Sequence, residues 1–276
     1  MLKLYSIKDP EFDIMCLRIA LALAVLAFAG SAGAQDLSKG RWIDLTHPFN
    51  KQTVYWPTSK MFTKTEVYRG TTPGGWFYSA YNFAAAEHGG THMDSPIHFA
   101  DRTNTTDRVP LSQLIGPAVV IDVSMQVRGN VDYLIHSDDI RAYEAKHGKI
   151  AAGAIVLLNT GRAPLYSDLK AYMGTDERGQ AAVAKLHFPG LSERAAALLV
   201  DRKIGAVGID TPSIDRGQSK TFKSHVRLMT NNIPAFENVA DMSALPPKGA
   251  TVIALPMKIQ GGSGGPLRIV AFVPNN

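Results

Sequence analysis

The sequence predicts a single α/β domain over residues 35–276, with strands outnumbering helices. Three observations carry this reading. Residues 118–123, interrupted only by Asp122, and 155–158 are apolar runs, too short for a helix of ordinary length, and read as strands buried on both faces. Segments such as Trp42-Ile43-Asp44-Leu45-Thr46 alternate apolar and polar residues, the pattern of a strand with one wet face. No internal repeat and no long linker divides the chain, and its 276 residues suffice for a sizeable core. The composition, 45% hydrophobic and 19% charged, is that of an ordinary globular protein. A net charge of +5 without a dense run of Lys or Arg argues against nucleic-acid binding.

The elements follow in order. Residues 17–29 are almost unbroken Leu, Ala, Ile, Val and Phe, interrupted by Arg18, and lead into Gly30-Ser31-Ala32-Gly33-Ala34. The run is too short for a comfortable membrane span, and its end fits the small-x-small cleavage rule. Residues 1–34 are therefore expected to be a signal peptide cleaved near Ala34. The mature chain would be periplasmic, with no stable membrane association. The acidic stretch 9–13 is unusual ahead of such a signal, so Met15 is an alternative start. Cys16, the one cysteine, would leave with the signal, which excludes disulfides and cysteine catalysis.

Residues 42–46 are expected as a strand ending at His47-Pro48, and 53–57 as a short aromatic segment. Residues 62–68 alternate again, 71–75 form a turn, and 76–86 read as a long strand leading into His88. After the strand at 118–123, Ser137 or Asp138 can cap a helix running to Lys146 and closed by Gly148. The strand at 155–160 is followed by a polar, glycine-interrupted insertion at 166–186 with some helix. Ser192 opens a helix with Ala196, Leu199 and Val200 on one face, and 204–209 is the next strand. The last strands, 251–256 and 267–273, flank the glycine-rich stretch 261–266.

The chemistry concentrates in His88-Gly89-Gly90-Thr91-His92-Met93-Asp94-Ser95-Pro96-Ile97-His98-Phe99. Its glycines and proline forbid a regular helix. A tight irregular segment that bends back would aim His88, His92 and Asp94 at one centre. Two imidazoles and a carboxylate suit zinc, manganese or iron and leave positions for water. His98 would then lie just outside the ligands, where a proton carrier with a near-neutral pKa is useful. The alternative, a histidine-rich surface loop, sits poorly with a chain of only eight histidines whose others are scattered.

His225 and Glu237 lie twelve residues apart, and that spacing by itself favours a structural role. Beside a metal triad, a distant His and Glu are what a second cation or an open site would recruit. Glu237 stands in an otherwise uncharged stretch and needs a cation or a hydrogen-bond partner if buried. Trp56, Trp76, Phe77 and Tyr81 could wall a pocket for a flat aromatic substrate or belong to the core, and Trp56 beside Pro57 stands out. The 261–265 stretch reads as a turn near the site, since no Lys-Ser/Thr signature follows it. His136, His147 and His187 receive no role, and His47 a packing or supporting one. The letters G-x-S-x-G occur at Gly261-Gly262-Ser263-Gly264-Gly265, but this stretch lies between strands with no helix following, so it is no nucleophile elbow and a serine hydrolase of that type is excluded.

The 88–99 stretch resembles the H-x-G-T-H-x-D-x-P-x-H-F signature of the metal-dependent cyclase-like hydrolases, the superfamily of bacterial kynurenine formamidase and isatin hydrolase. Asp44-Leu45-Thr46-His47, Tyr55-Trp56-Pro57, Gly208-Ile209-Asp210-Thr211-Pro212-Ser213 and Pro234-Ala235-Phe236-Glu237-Asn238 extend the resemblance over nearly all of the mature chain. It implies a swivelling β/β/α fold, a homodimer or higher homo-oligomer, and one or two Mn or Zn ions. It implies His88, His92 and Asp94 as metal ligands and His98 as proton donor and acceptor. His225 and Glu237 match in spacing the pair that completes a two-metal site in the formamidases. His225 would otherwise hydrogen-bond the substrate carbonyl, and Trp56 matches a substrate-contacting Trp. The export signal, the 166–186 insertion and residues 256–266 look closer to the isatin hydrolase branch. The implied reaction is the opening of an aromatic lactam, isatin to isatinate, by metal-activated water. Arylformamidase action on N-formylkynurenine is the alternative, and a non-catalytic periplasmic metal or ligand carrier the second.

Overall fold

Alternation and burial sort the strands of this computed structural model, which describes residues 36–275; the segment 1–34 read as a signal lies outside the described residues. Twelve strands are formed among the described residues. They are β1 (Gly40–Asp44), β2 (Thr63–Thr71), β3 (Phe77–Ala84), β4 (His92–Asp94), β5 (Ile115–Asp122) and β6 (Leu134–Ile135). The others are β7 (Ile155–Asn159), β8 (Gly190–Leu191), β9 (Ala206–Ile209), β10 (Ala235–Glu237), β11 (Lys248–Pro256) and β12 (Gly264–Pro274).

Pairing in the order β12-β11-β5-β7-β9-β10-β4 closes on itself, because the start of β12 also pairs with β4. The result is a barrel-like sheet, with β1 continuing along β12 beyond β4. The two apolar runs became β5 and β7, which with β9 pair in parallel and are covered on both sides, the environment such runs require. Alternate residues divide between two cores. Ala118, Val120, Ile155, Leu157, Met93 and Phe236 fill the sheet's interior. Val119, Ile121, Val156, Leu158, Val207 and Ile209 face outward and are covered by helices. Those helices are α1 (Ser137–His147), α2 (Glu193–Asp201) and α3 (Lys223–Met229).

The caps show how local chemistry sets boundaries. The Ser192 hydroxyl accepts from the Ala195 amide and opens α2, as its sequence predicts. Helix α1 starts one or two residues earlier than the Ser137 or Asp138 cap predicts, because the Asp139 carboxylate reaches back to the His136 amide at 2.7 Å and makes His136 the cap. Gly148, at φ 88°, closes it. The 166–186 insertion holds two short helices, Leu169–Met173 and Gln180–Val183. Its Tyr172, Met173 and Leu186 build a third small core with Val54 and Phe188, on which Trp56 packs.

One expectation fails here. Among the described residues, Trp76, Phe77 and Tyr81 lie outside the aromatic pocket that Trp56 lines: β2 and β3 pair only with each other, and Trp76 and Phe77 are each 63% exposed. A hairpin covered on neither face leaves its aromatic side chains in solvent. No helix of the described residues is long and apolar enough to cross a membrane.

Candidate metal centre

The centre is built by strand alternation rather than by the bent loop the sequence suggested. In β4, His92 and Asp94 point to one face while Met93, between them, enters the sheet's interior. Antiparallel β10 sets Glu237 opposite His92 and Ala235 opposite Asp94, with Phe236 facing inward beside Met93. The polar side chains of both strands thus share the outer face. Gly90, at φ 60°, turns the chain ahead of β4, a conformation that favours glycine. His88, before that turn, swings in to place Nδ1 2.6 Å from Asp94 Oδ1. His225 arrives from α3, a helix the sequence pattern did not signal, and its Nε2 lies 3.1 Å from Asp94 Oδ2 and 3.2 Å from Glu237 Oε1. Two overlapping ligand sets result: His88, His92 and Asp94, and Asp94, His225 and Glu237.

Each imidazole uses its outer nitrogen as a tether. His92 Nδ1–H donates to the Gly90 carbonyl at 3.0 Å, which leaves Nε2 as a lone pair facing the centre. That Nε2 is buried and takes no hydrogen bond, although Asp94 Oδ1 lies 3.0 Å away. His225 Nδ1–H donates to Asp215 Oδ2 at 2.7 Å, and His88 Nε2 meets the Ser263 hydroxyl at 2.8 Å. Three imidazoles held from behind, aimed at two carboxylates, make the arrangement of a cation site.

The electrostatics agree. His92, Asp94, His225 and Glu237 are each 4% exposed or less. Burial opposes ionisation of Asp94, but the adjacent His88 and His92 and the hydrogen bonds it accepts hold it well below the usual carboxylate range. Burial and the Asp94 charge push Glu237 up. Burial works against a charge on His225, yet its hydrogen bonds to Asp215, Asp94 and Glu237 raise it well above an ordinary imidazole. Two buried carboxylates whose oxygens lie within 4.8 Å of one another are stabilised by positive charge between them. A bound divalent ion would supply it, and the orphaned His92 Nε2 is the atom such an ion would satisfy.

A cavity of about 240 Å³ opens onto this cluster. His98 and Trp56 both line it. The His98 ring stacks on His88 at 3.8 Å, and burial lowers its pKa to about 4, so it is a neutral base at neutral pH. Trp56 meets Phe188 and Phe222 edge-on, each at 6.5 Å. Phe99 and Phe222, which sequence reasoning did not single out, complete an aromatic wall with ring centroids 5.3 Å apart. Asp215 and Ser263 were also missed. The only signal for them was proximity to quoted motifs, because their bonds to His225 and His88 span 10 and 175 residues. His47 stacks on Tyr166 at 3.6 Å, the packing role its setting implied.

A closed sheet with helices on one side and a buried imidazole–carboxylate cluster on its outer wall defines a cation-site protein whose aromatic pocket admits a small molecule. The chain belongs to the cyclase family, whose model matches residues 43–216. It is 34% identical to an isatin hydrolase of Roseibium aggregatum over 206 residues, covering 71% of this chain and 76% of that protein. It is 24% identical to the kynurenine formamidase of Bacillus mycoides over 237 residues, 85% of this chain and 98% of that protein. The solved structure of an isatin hydrolase bound to the product analogue thioisatinate superposes with TM-score 0.78 at 28% identity, covering 95% of this chain and 99% of that one.

Proposed function

We propose that this chain hydrolyses the C–N bond of a small aromatic lactam of the isatin kind, with a divalent ion held by His88, His92 and Asp94. The observation that carries this reading is the common aim of three tethered imidazoles and two buried carboxylates at the floor of an aromatic pocket. Similarity to isatin hydrolases over most of the chain supports the substrate class. When bound, a divalent ion supplies Lewis-acid polarisation of the carbonyl and lowers the pKa of water from 15.7 toward about 7. Manganese and zinc both suit the mixed nitrogen and oxygen donors. Asp94, His225 and Glu237 would hold a second ion if one binds; with a single ion, His225 would serve to hydrogen-bond the substrate carbonyl.

The remaining steps belong to the protein's own residues. Trp56, Phe99 and Phe222 stack on the flat substrate and exclude bulk water. His98, neutral and facing the cavity, takes the proton of the attacking water and returns it to the leaving nitrogen. The carbonyl carbon gains the water oxygen and the C–N bond breaks. In a lactam that nitrogen stays tethered, so one carboxylate product leaves. The full-length similarity to the Bacillus formamidase favours a second reading, attack on the open-chain amide N-formylkynurenine. The carrier reading gives no reason for His98 beside the ligands. Incubating the purified protein plus Mn²⁺ or Zn²⁺ with isatin, N-formylkynurenine and simple lactams separates these readings, with ring opening followed by mass spectrometry. Turnover of isatin is the expected result. Turnover of the formamide alone favours the second reading, and no turnover favours the carrier.

We also propose export to the periplasm with cleavage near Ala34, on the strength of the apolar run and Ala32-Gly33-Ala34; the mass of the mature protein tests it. The same reading includes a homodimer or higher homo-oligomer. The β2–β3 hairpin supports it, because an isolated two-stranded hairpin is marginal in water and this one exposes Phe77, Tyr78 and Phe83. Light scattering gives the copy number.

A further inference from the structure

The three imidazoles of the centre are tethered by different means. His92 is held by a backbone carbonyl and His225 by a buried carboxylate, groups that here only accept a hydrogen bond. Each therefore leaves one possible role for the outer nitrogen, that of donor. His88 is held by the hydroxyl of Ser263, which can donate or accept. It is also the most exposed of the three, with its side chain at 22% against 3% for His92 and His225. Its ring could be presented to a metal in the wrong tautomer unless something decides which way the hydroxyl points.

Glu87 decides it. Its Oε2 accepts from the Ser263 hydroxyl at 2.7 Å and from the Ser263 and Gly264 amides at 2.9 and 3.2 Å. With its one proton committed to Glu87, the Ser263 oxygen can only accept from His88 Nε2–H. With a metal bound, the free lone pair of His88 would then be on Nδ1, the atom that faces Asp94. The backbone enforces the same pose. A Cβ at Gly264 would lie 2.6 Å from His88 Cε1 and 2.7 Å from the Met93 carbonyl, so only glycine lets β12 pass this close to the ring. The glycine-rich stretch before the last strand thus serves the centre by cradling an imidazole.

We propose that Ser263 and Glu87 are positioning residues: a carboxylate–hydroxyl–imidazole relay that fixes His88 with Nδ1 toward the metal. The inference rests on the metal-centre reading above and needs no particular substrate. Outer partners of a metal-ligating histidine typically contribute about 10- to 100-fold in metal affinity. Ser263→Ala removes the acceptor, and Glu87→Gln offers Ser263 an amide that can reverse its hydroxyl. Ser263→Thr keeps the hydroxyl and is the conservative rescue.

The experiment is calorimetric titration of the metal-free full chain with Mn²⁺ and Zn²⁺. It is joined to long-range ¹H–¹⁵N NMR of the histidine rings in the Zn²⁺ form, and to the melting temperature of each metal-free variant. Ser263→Ala and Glu87→Gln are expected to weaken binding by about 10- to 100-fold, with Ser263→Thr near wild type. The wild-type His88 signal is expected to show a protonated Nε2 and a metal-shifted Nδ1. Unchanged affinity in Ser263→Ala overturns the relay while leaving the metal centre intact. A lower melting temperature with unchanged affinity does the same and assigns Ser263 to loop packing. Failure of the wild-type chain to bind either ion overturns both, whereas a metal-loaded chain inactive on lactams overturns the substrate class and leaves the relay standing.

Discussion

The two faces of β4 and β10 carry opposite chemistry within a few residues. The inner face presents Met93 and Phe236, both fully buried among aliphatic side chains. The outer face presents His92, Asp94 and Glu237, buried just as deeply but among groups that need charge to balance them. Burial is thus common to both faces and distinguishes nothing. What differs is the partner: dispersion and water exclusion suffice on one side, while a cation completes the other. Stability and function are therefore separable by residue parity along six positions, even though neighbouring residues share one backbone.

The largest expected effect comes from Asp94→Ala, which removes the one residue common to both ligand sets. Metal content by elemental analysis should fall to background, and turnover should fall by more than the ~100-fold typical of outer partners. Retained metal with normal turnover would break the comparison. The same assay on the wild type, one ion per chain or two, settles the task of Glu237. His98→Ala should keep the metal and lose about 10²- to 10⁴-fold in kcat, because the ring lines the cavity as a neutral base without joining a ligand set. Unchanged kcat would remove it from the reaction.

Met93→Ala probes the opposite face. It should cost about 2–5 kcal/mol of stability in denaturant unfolding while the folded protein keeps its metal stoichiometry. Metal loss without destabilisation would contradict the parity argument.

The smallest effect concerns His47, packed on Tyr166 outside the centre, whose pKa burial lowers to about 4. Its unfolded imidazole takes a proton near pH 6.5, before the folded one does. The stability present above pH 6.5 is therefore lost as pH falls toward 4, with a slope of at most about 1.4 kcal/mol per unit, reduced because solvent still screens part of the ring. His47→Phe should flatten the difference between urea midpoints at pH 7 and pH 5. An unchanged slope would assign the acid sensitivity to other groups.

Much of this was legible in the chain itself. Runs of Val, Ile and Leu named β5 and β7, Ser192 named a helix start with β9 after it, and the spacing of His88, His92, Asp94 and His98 named a metal-linked reaction. The illegible parts share a cause. Strand β10 is three residues long and α3 seven, too short for periodicity to register. Asp215 and Ser263 matter only through hydrogen bonds to histidines placed beside them by tertiary contacts. Trp76 and Phe77 carry the composition of a pocket wall, and composition does not say whether anything covers a hairpin.

By itself, then, the sequence determined the ligand chemistry, since residue types and their order fix which atoms can donate to a metal or carry a proton. Only the tertiary structure decided how those atoms meet. Closing β4 onto β10 and β12 brings Glu237, His225 and Ser263 to a segment more than a hundred residues earlier, and no local pattern records a pairing made across that distance.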